Sequence, residues 1–215
     1  MYCVDVDKDG NLWVTNRGTD KALKVLRASN QWQSYDIGDY ITNGRFAPMA
    51  IDKNQTKWLP TRDDGVIAFN DTQNNKTLVI NTESGLPSTN VLCVAIDKRN
   101  QLWIGTAAGL RVLSSVDQFV RQDELNVSSI IIQEGDLAQE LFYQQLIVDI
   151  AVDGANNKWI GTNNGVWLIS DDGEKIIHRF TKENSPLPAN EINKIVVHPS
   201  TGDVFIAGQR LSAQS

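Results

Sequence analysis

The chain has 215 residues, 41% of them hydrophobic and 21% charged, with a formal net charge of -6 at pH 7. A chain of this size buries a sizeable core as a single all-β domain. Thinly spread Lys and Arg in an acidic protein argue against a nucleic-acid partner, and the lack of any eighteen-residue apolar run argues against a membrane-spanning helix.

At the N-terminus, Met1 leads straight into a strand-like sequence without a basic and then apolar leader, so a secretory signal is expected to be absent or already removed. The stretch VDVDKDGNLW, Val4 to Trp13, resembles a calcium loop, with Asp5, Asp7 and Asp9 alternating before Gly10. Counting from Asp5, the twelfth loop position, which needs a bidentate Glu, is Asn16. The flanks YCVDV and LWVTN are β-branched and aromatic, which predicts strands around a turn rather than helices around a cation.

The same frame returns as AIDKNQTKWLPTRDDGVIAF from Ala50, AIDKRNQLWIGTAAGLRVL from Ala95 and AVDGANNKWIGTNNGVWLI from Ala151. In each copy an Asp (Asp7, Asp52, Asp97, Asp153) precedes a Trp (Trp13, Trp58, Trp103, Trp159) by six residues, while the counterparts of Asp5 and Asp9 are lost. A single repeated acid suits a hairpin turn in which the carboxylate takes backbone N–H groups and Gly or Asn fills positions of unusual dihedral. The expectation is therefore a structural turn, with no metal and no cofactor. Each Trp is expected to be a large apolar plate packed between neighbouring units, worth on the order of 3 kcal/mol if truncated.

In the third copy the predicted strands are Val91–Asp97, Leu102–Thr106 and Leu110–Ser114, with an irregular fourth. In the fourth they are Leu146–Asp153, Lys158–Thr162, Val166–Ile169 and Lys175–Thr181. The Trp residues are 45, 45 and 56 residues apart, and IVVHPSTGDVFIAG, a degenerate fifth copy, puts Phe205 another 46 residues on. The extra residues fall within Leu125–Gln145, where Asp136–Gln145 alone approaches a helical stripe; a loop or extra strand decorating the third unit is expected, with a ligand or partner contact as the other reading.

A period near 45 with short strands predicts an all-β fold, a β-propeller of four-stranded blades, with about four and a half blades in a partial or open ring. The blades are placed at about 1–44, 45–89, 90–145 and 146–190, with a partial blade at 191–215, forming a single β-propeller domain or a fragment of one. The unfinished blade would leave an open sheet edge suited to self-association. Cys3 and Cys93 hold the same repeat position and are expected to be small apolar fillers too far apart to bridge.

The frame D…LWIGT..GL..L resembles the two-component-regulator propeller repeats of Bacteroidetes proteins, over essentially the whole chain, and that resemblance implies turns at Gly105, Thr106, Gly161 and Thr162. Ile150–Ile176, Phe180–Ile192 and Pro199–Ala207 are similar to the second propeller of PorZ-like components of type IX secretion. That resemblance implies a non-enzymatic protein outside the cytoplasm, in the periplasm or at the outer-membrane cell surface. Its implied partners are proteins of a secretion and attachment complex, including a sortase, together with anionic lipopolysaccharide. A first rival keeps the repeats and makes the chain a periplasmic glycan-sensing domain of a hybrid two-component sensor kinase. A second makes it a propeller hydrolase.

The hydrolase lacks support in the residues. Arg62, Arg99, Arg111 and Arg179 stand at unrelated repeat positions, so no arginine cluster is expected, and sialic acid recognition wants converging arginines. His178 and His198 differ in repeat phase, and no serine sits in a GxSxG elbow. A binding site is expected at the mouth of the central channel or in an open groove. Trp167 is a candidate contact there, unless it is simply packed.

Overall fold

The computed structural model describes residues 3–16, 18–38, 45–134 and 137–208. The first sheet is formed by β1 (Val4–Val6), β2 (Leu12–Thr15), β3 (Leu23–Leu26) and β4 (Trp32–Tyr35), antiparallel and in chain order. The second is β5 (Ala50–Ile51), β6 (Lys57–Pro60), β7 (Val66–Asn70) and β8 (Lys76–Ile80), with a short 3-10 turn at Asp71–Gln73. The third has three strands, β9 (Val91–Ile96), β10 (Leu102–Thr106) and β11 (Gly109–Leu113).

In place of a fourth strand the chain makes one helical turn, α1 (Gln118–Arg121), and a single bridge between Val112 and Ser128. The insertion is a hairpin, β12 (Ile131–Glu134) with β13 (Leu137–Glu140). Within the window with a helical stripe, Leu137–Glu140 is thus strand and the turn after it buries Leu141 and Phe142; Asp136 lies outside the described residues. The fourth sheet is β14 (Ile147–Val152), β15 (Lys158–Thr162), β16 (Gly165–Ile169) and β17 (Ile176–Phe180). β18 (Ile192–Val197) and β19 (Val204–Gly208) pair as the fifth.

The fold is all-β, a β-propeller: the innermost strands β1, β5, β9, β14 and β18 pack in succession around an axis. Apolar clusters fill each gap between consecutive sheets. Alternation explains the packing. Along β3, Leu23 and Val25 are buried and share a cluster with Leu59, Ile67 and Phe69 of the second sheet. Strands β10 and β15 are flanked by strands on both sides and lie between neighbouring sheets, so they are nearly continuous apolar runs, LWIGT and KWIGT.

Two glycines let the sheets close up. A Cβ on Gly105 would lie 2.6 Å from Ile147 Cγ2 of the next sheet, and one on Gly161 would lie 2.8 Å from Ile192 Cγ2. Among the described residues no helix is long and apolar enough to cross a membrane.

Candidate functional site

The repeated acid builds the same turn four times. Asp7 Oδ1 accepts the backbone N–H groups of Asp9 (3.0 Å) and Asn11 (2.9 Å). Asp52, Asp97 and Asp153 do the same with residues two and four further on, at 2.8–2.9 Å. The residue three beyond each acid is left-handed: Gly10, Gln55, Asn100 and Asn156 have φ of 79°, 67°, 60° and 69°.

The second carboxylate oxygen does what the sequence reading missed. It accepts the indole N–H of the following Trp, at 2.8 Å for Asp7–Trp13, 3.0 Å for Asp52–Trp58, and 3.2 Å for both Asp97–Trp103 and Asp153–Trp159. The Trp is therefore a hydrogen-bonded plate rather than a purely apolar one. Burial pushes the Asp7 carboxyl up, but Trp13, Asn11 and the backbone donors outweigh it and leave it below the ordinary value. At Asp52 burial wins and the carboxyl lies above it. Both oxygens of each carboxylate are thus taken by donors of its own hairpin.

Asp5 accepts the N–H of Val6, and Asp9 accepts the side chain of Gln55 at 2.8 Å, so the apparent calcium loop is dispersed into local contacts. Among the described residues no group of three or more His, Cys, Asp or Glu is placed to hold a metal. Gly105–Thr106 and Gly161–Thr162 are not turns but the last residues of β10 and β15; Thr106 and Thr162 brace the turn that follows, accepting the N–H two residues on and donating to the carbonyls of Gly109 and Gly165.

Two fully buried lysines lie over these indoles. Lys57 Nζ is 3.8 Å from the centre of the Trp13 ring and 2.5 Å from Asp71 Oδ1. Lys158 Nζ is 4.5 Å from the Trp103 ring, 2.8 Å from Asp97 Oδ2 and 2.6 Å from the carbonyl of Asp171. Burial lowers the pKa of both ammonium groups, only partly offset by the acids beside them.

The open part of the axis is a cavity of about 580 Å³ lined by Arg45, Phe46, Pro48, Arg62, Leu92, Val148, Asp149 and Lys194, among others. This corrects one expectation: Arg62 is not isolated, because inner-strand geometry brings Arg45 and Lys194 to the same space. Asp149, on β14, is buried and accepts from Lys194 Nζ at 2.8 Å and from the Ile195 N–H at 2.7 Å. Arg99 and Arg111 stay apart, pairing with Asp171 and Glu140.

Trp167 is packed, not presented: Phe142 meets its ring edge-on at 5.5 Å and the Arg179 guanidinium lies 4.6 Å from it. His178 is exposed beside Phe180, and His198 Nδ1 accepts the N–H groups of Ser200 and Thr201. Cys3 and Cys93 are free and buried, and burial pushes the Cys93 thiol far up.

Residues 85–108, which span the turn and first hairpin of the third sheet, match the profile of the two component regulator propeller, so this unit is a repeat of that type. No curated protein matches the chain in sequence. The chain is similar to PorZ, described as an essential bacterial surface component of the type-IX secretion system of Porphyromonas gingivalis, with 25% identity and a TM-score of 0.85. The similarity covers 95% of this chain and 30% of PorZ. The extracellular domain assigned to a hybrid two component system of B. thetaiotaomicron gives 23% identity and a TM-score of 0.67 over 96% of this chain and 25% of that one. Virginiamycin B lyase of Staphylococcus aureus, at 11% identity and a TM-score of 0.65, covers 98% of this chain and 70% of its own. At 23% and 11% identity the last two show the fold alone.

Proposed function

We propose that the chain is a non-catalytic propeller module for binding and scaffolding, acting outside the cytoplasm as a PorZ-like part of type IX secretion, in protein attachment at the cell surface and in lipopolysaccharide binding. The observation that carries the reading is the overlay on PorZ, a TM-score of 0.85 over 95% of the chain. The site chemistry agrees with it, since the repeated acids are saturated by turn and indole donors and the two histidines belong to different sheets. Exposed Phe205 and Val196 on the fifth sheet offer apolar surface for a protein partner or a second copy.

Glycan sensing for a two-component system is the second reading, favoured by the overlay on the B. thetaiotaomicron domain. In-frame deletion of the coding region in its own bacterium separates the two. Loss of surface-attached cargo is the expected result; intact attachment with a lost transcriptional response to glycan would replace it with the sensor. Calorimetric titration with purified lipopolysaccharide is expected to give saturable heat, and its absence would leave protein contact alone.

A further inference from the structure

We infer that the axial cavity is an anion site in which Arg45 and Arg62, with Lys194, hold the phosphate or carboxylate of a ligand about two or three sugar rings in size. The inference rests on the binding-module reading and deepens it. Arg45 and Arg62 flank the isolated bridge between Phe46 and Thr61, and the Arg62 N–H donates to the Arg45 carbonyl at 3.0 Å. Two cations thus occupy adjoining positions on paired backbone, an arrangement that is destabilising without a counter-charge.

The described residues supply little of that counter-charge. Asp63 reaches Arg45 only at 3.9 Å, with both side chains more than half exposed, and such a pair contributes little. Among the described residues the Arg62 guanidinium has no hydrogen-bond acceptor and no ion-pair partner. Asp149, the acid on the wall, is taken up by Lys194 and the Ile195 N–H. Among the described residues that line it, Arg45, Arg62 and Lys194 against Asp149 leave two positive charges in excess, in a protein whose net charge is -6.

Guanidinium forks match the oxygens of phosphate and carboxylate in pairs. The volume of about 580 Å³ exceeds that of an inorganic ion, and Phe46, Pro48, Leu92 and Val148 supply apolar wall for a ring-bearing body.

The test is calorimetric titration with glucose 6-phosphate, trigalacturonate and purified lipopolysaccharide, with glucose as the neutral control. At least one anionic probe is expected to bind while glucose does not, more weakly as salt rises. Arg62→Gln is expected to cut the affinity at least tenfold. Because that substitution removes like-charge repulsion, the ligand-free variant should melt no lower than the parent and lose the ligand-induced rise in Tm. Binding of lipopolysaccharide alone identifies a lipid-linked glycan, and binding of the small probes a soluble one. No binding by any probe, or binding unchanged in both Arg62→Gln and Arg45→Gln, overturns the site. Lipopolysaccharide binding that survives both substitutions overturns the site while leaving the proposed function standing.

Discussion

Between the first and second sheets, the face of Trp13 is covered by the ammonium of Lys57, itself held by Asp71, which Arg27 also meets at 2.7 Å. Between the second and third sheets, the equivalent Trp58 lies in a wholly apolar cluster with Leu102, and Phe119 of α1 meets it edge-on at 6.1 Å. The difference extends to a second position. Lys57 pairs across the ladder with Phe69, and Asp71 follows two residues later; Lys158 pairs with Ile169, and Asp171 follows two later. Leu102 pairs with Leu113, and two residues later stands Ser115. An indole face accepts either hydrocarbon or a cation, but a buried cation needs an oxygen acceptor of its own, so the two positions differ together.

The strongest way to break this comparison is Leu102→Lys, which buries an ammonium where position 115 offers no acid. A loss of about 4 kcal/mol in chemical denaturation is expected, and Leu102→Lys with Ser115→Asp should recover a measurable part of it. If the double variant is no better than the single one, the pairing of the two positions carries no energy.

A smaller effect is expected one interface on. A Cβ at residue 105 would stand 2.5 Å from Cys93 Sγ and 2.6 Å from Ile147 Cγ2, so Gly105→Ala should cost about 2 kcal/mol through overpacking. Equal stability would show that the third and fourth sheets are not so closely seated.

The smallest effect separates the interfaces by pH. Burial raises the Asp71 carboxyl, but Lys57 and Arg27 outweigh it and bring it below its ordinary value. Its stabilisation is then present above the unfolded carboxyl value and lost as pH falls below about 4. Asp52 is shifted the other way by burial, so its protonation in acid favours the folded state. Asp71→Asn should flatten the acid limb of stability against pH, and Asp52→Asn should steepen it. Two limbs unchanged from the parent would remove the electrostatic distinction.

Much of the fold was legible because Trp spacing and Asp turns are local and recur. Strands β10 and β15 fall where the sequence puts them, and the neighbouring strands differ from expectation by a residue at their ends. The helical turn α1 was not legible, being four residues long with too short a stripe to show a period. The insertion's helical stripe gave way to a hairpin, which leaves Leu141 and Phe142 buried against the fourth sheet.

The indole–carboxylate bond was written in the fixed six-residue spacing, but strand alternation alone does not show that the Trp N–H turns back to its own hairpin. The partnership of Lys57 with Asp71 was hidden by its span of fourteen residues, and its counterpart Lys158 takes the Asp97 carboxylate and the Asp171 carbonyl instead. The cationic cavity had no local signal, because Arg45, Arg62 and Lys194 meet only when separate sheets surround one axis.

Hydrogen exchange of the six tryptophan indole N–H groups, followed by NMR, tests the repeated hairpin most directly. The indoles of Trp13, Trp58 and Trp103, bonded to Asp7, Asp52 and Asp97 and at most 1% exposed, should exchange far more slowly than that of Trp32, which is 59% exposed. Trp159, half-buried on Asp153, should fall between them. Six indoles exchanging at one common fast rate would contradict the account.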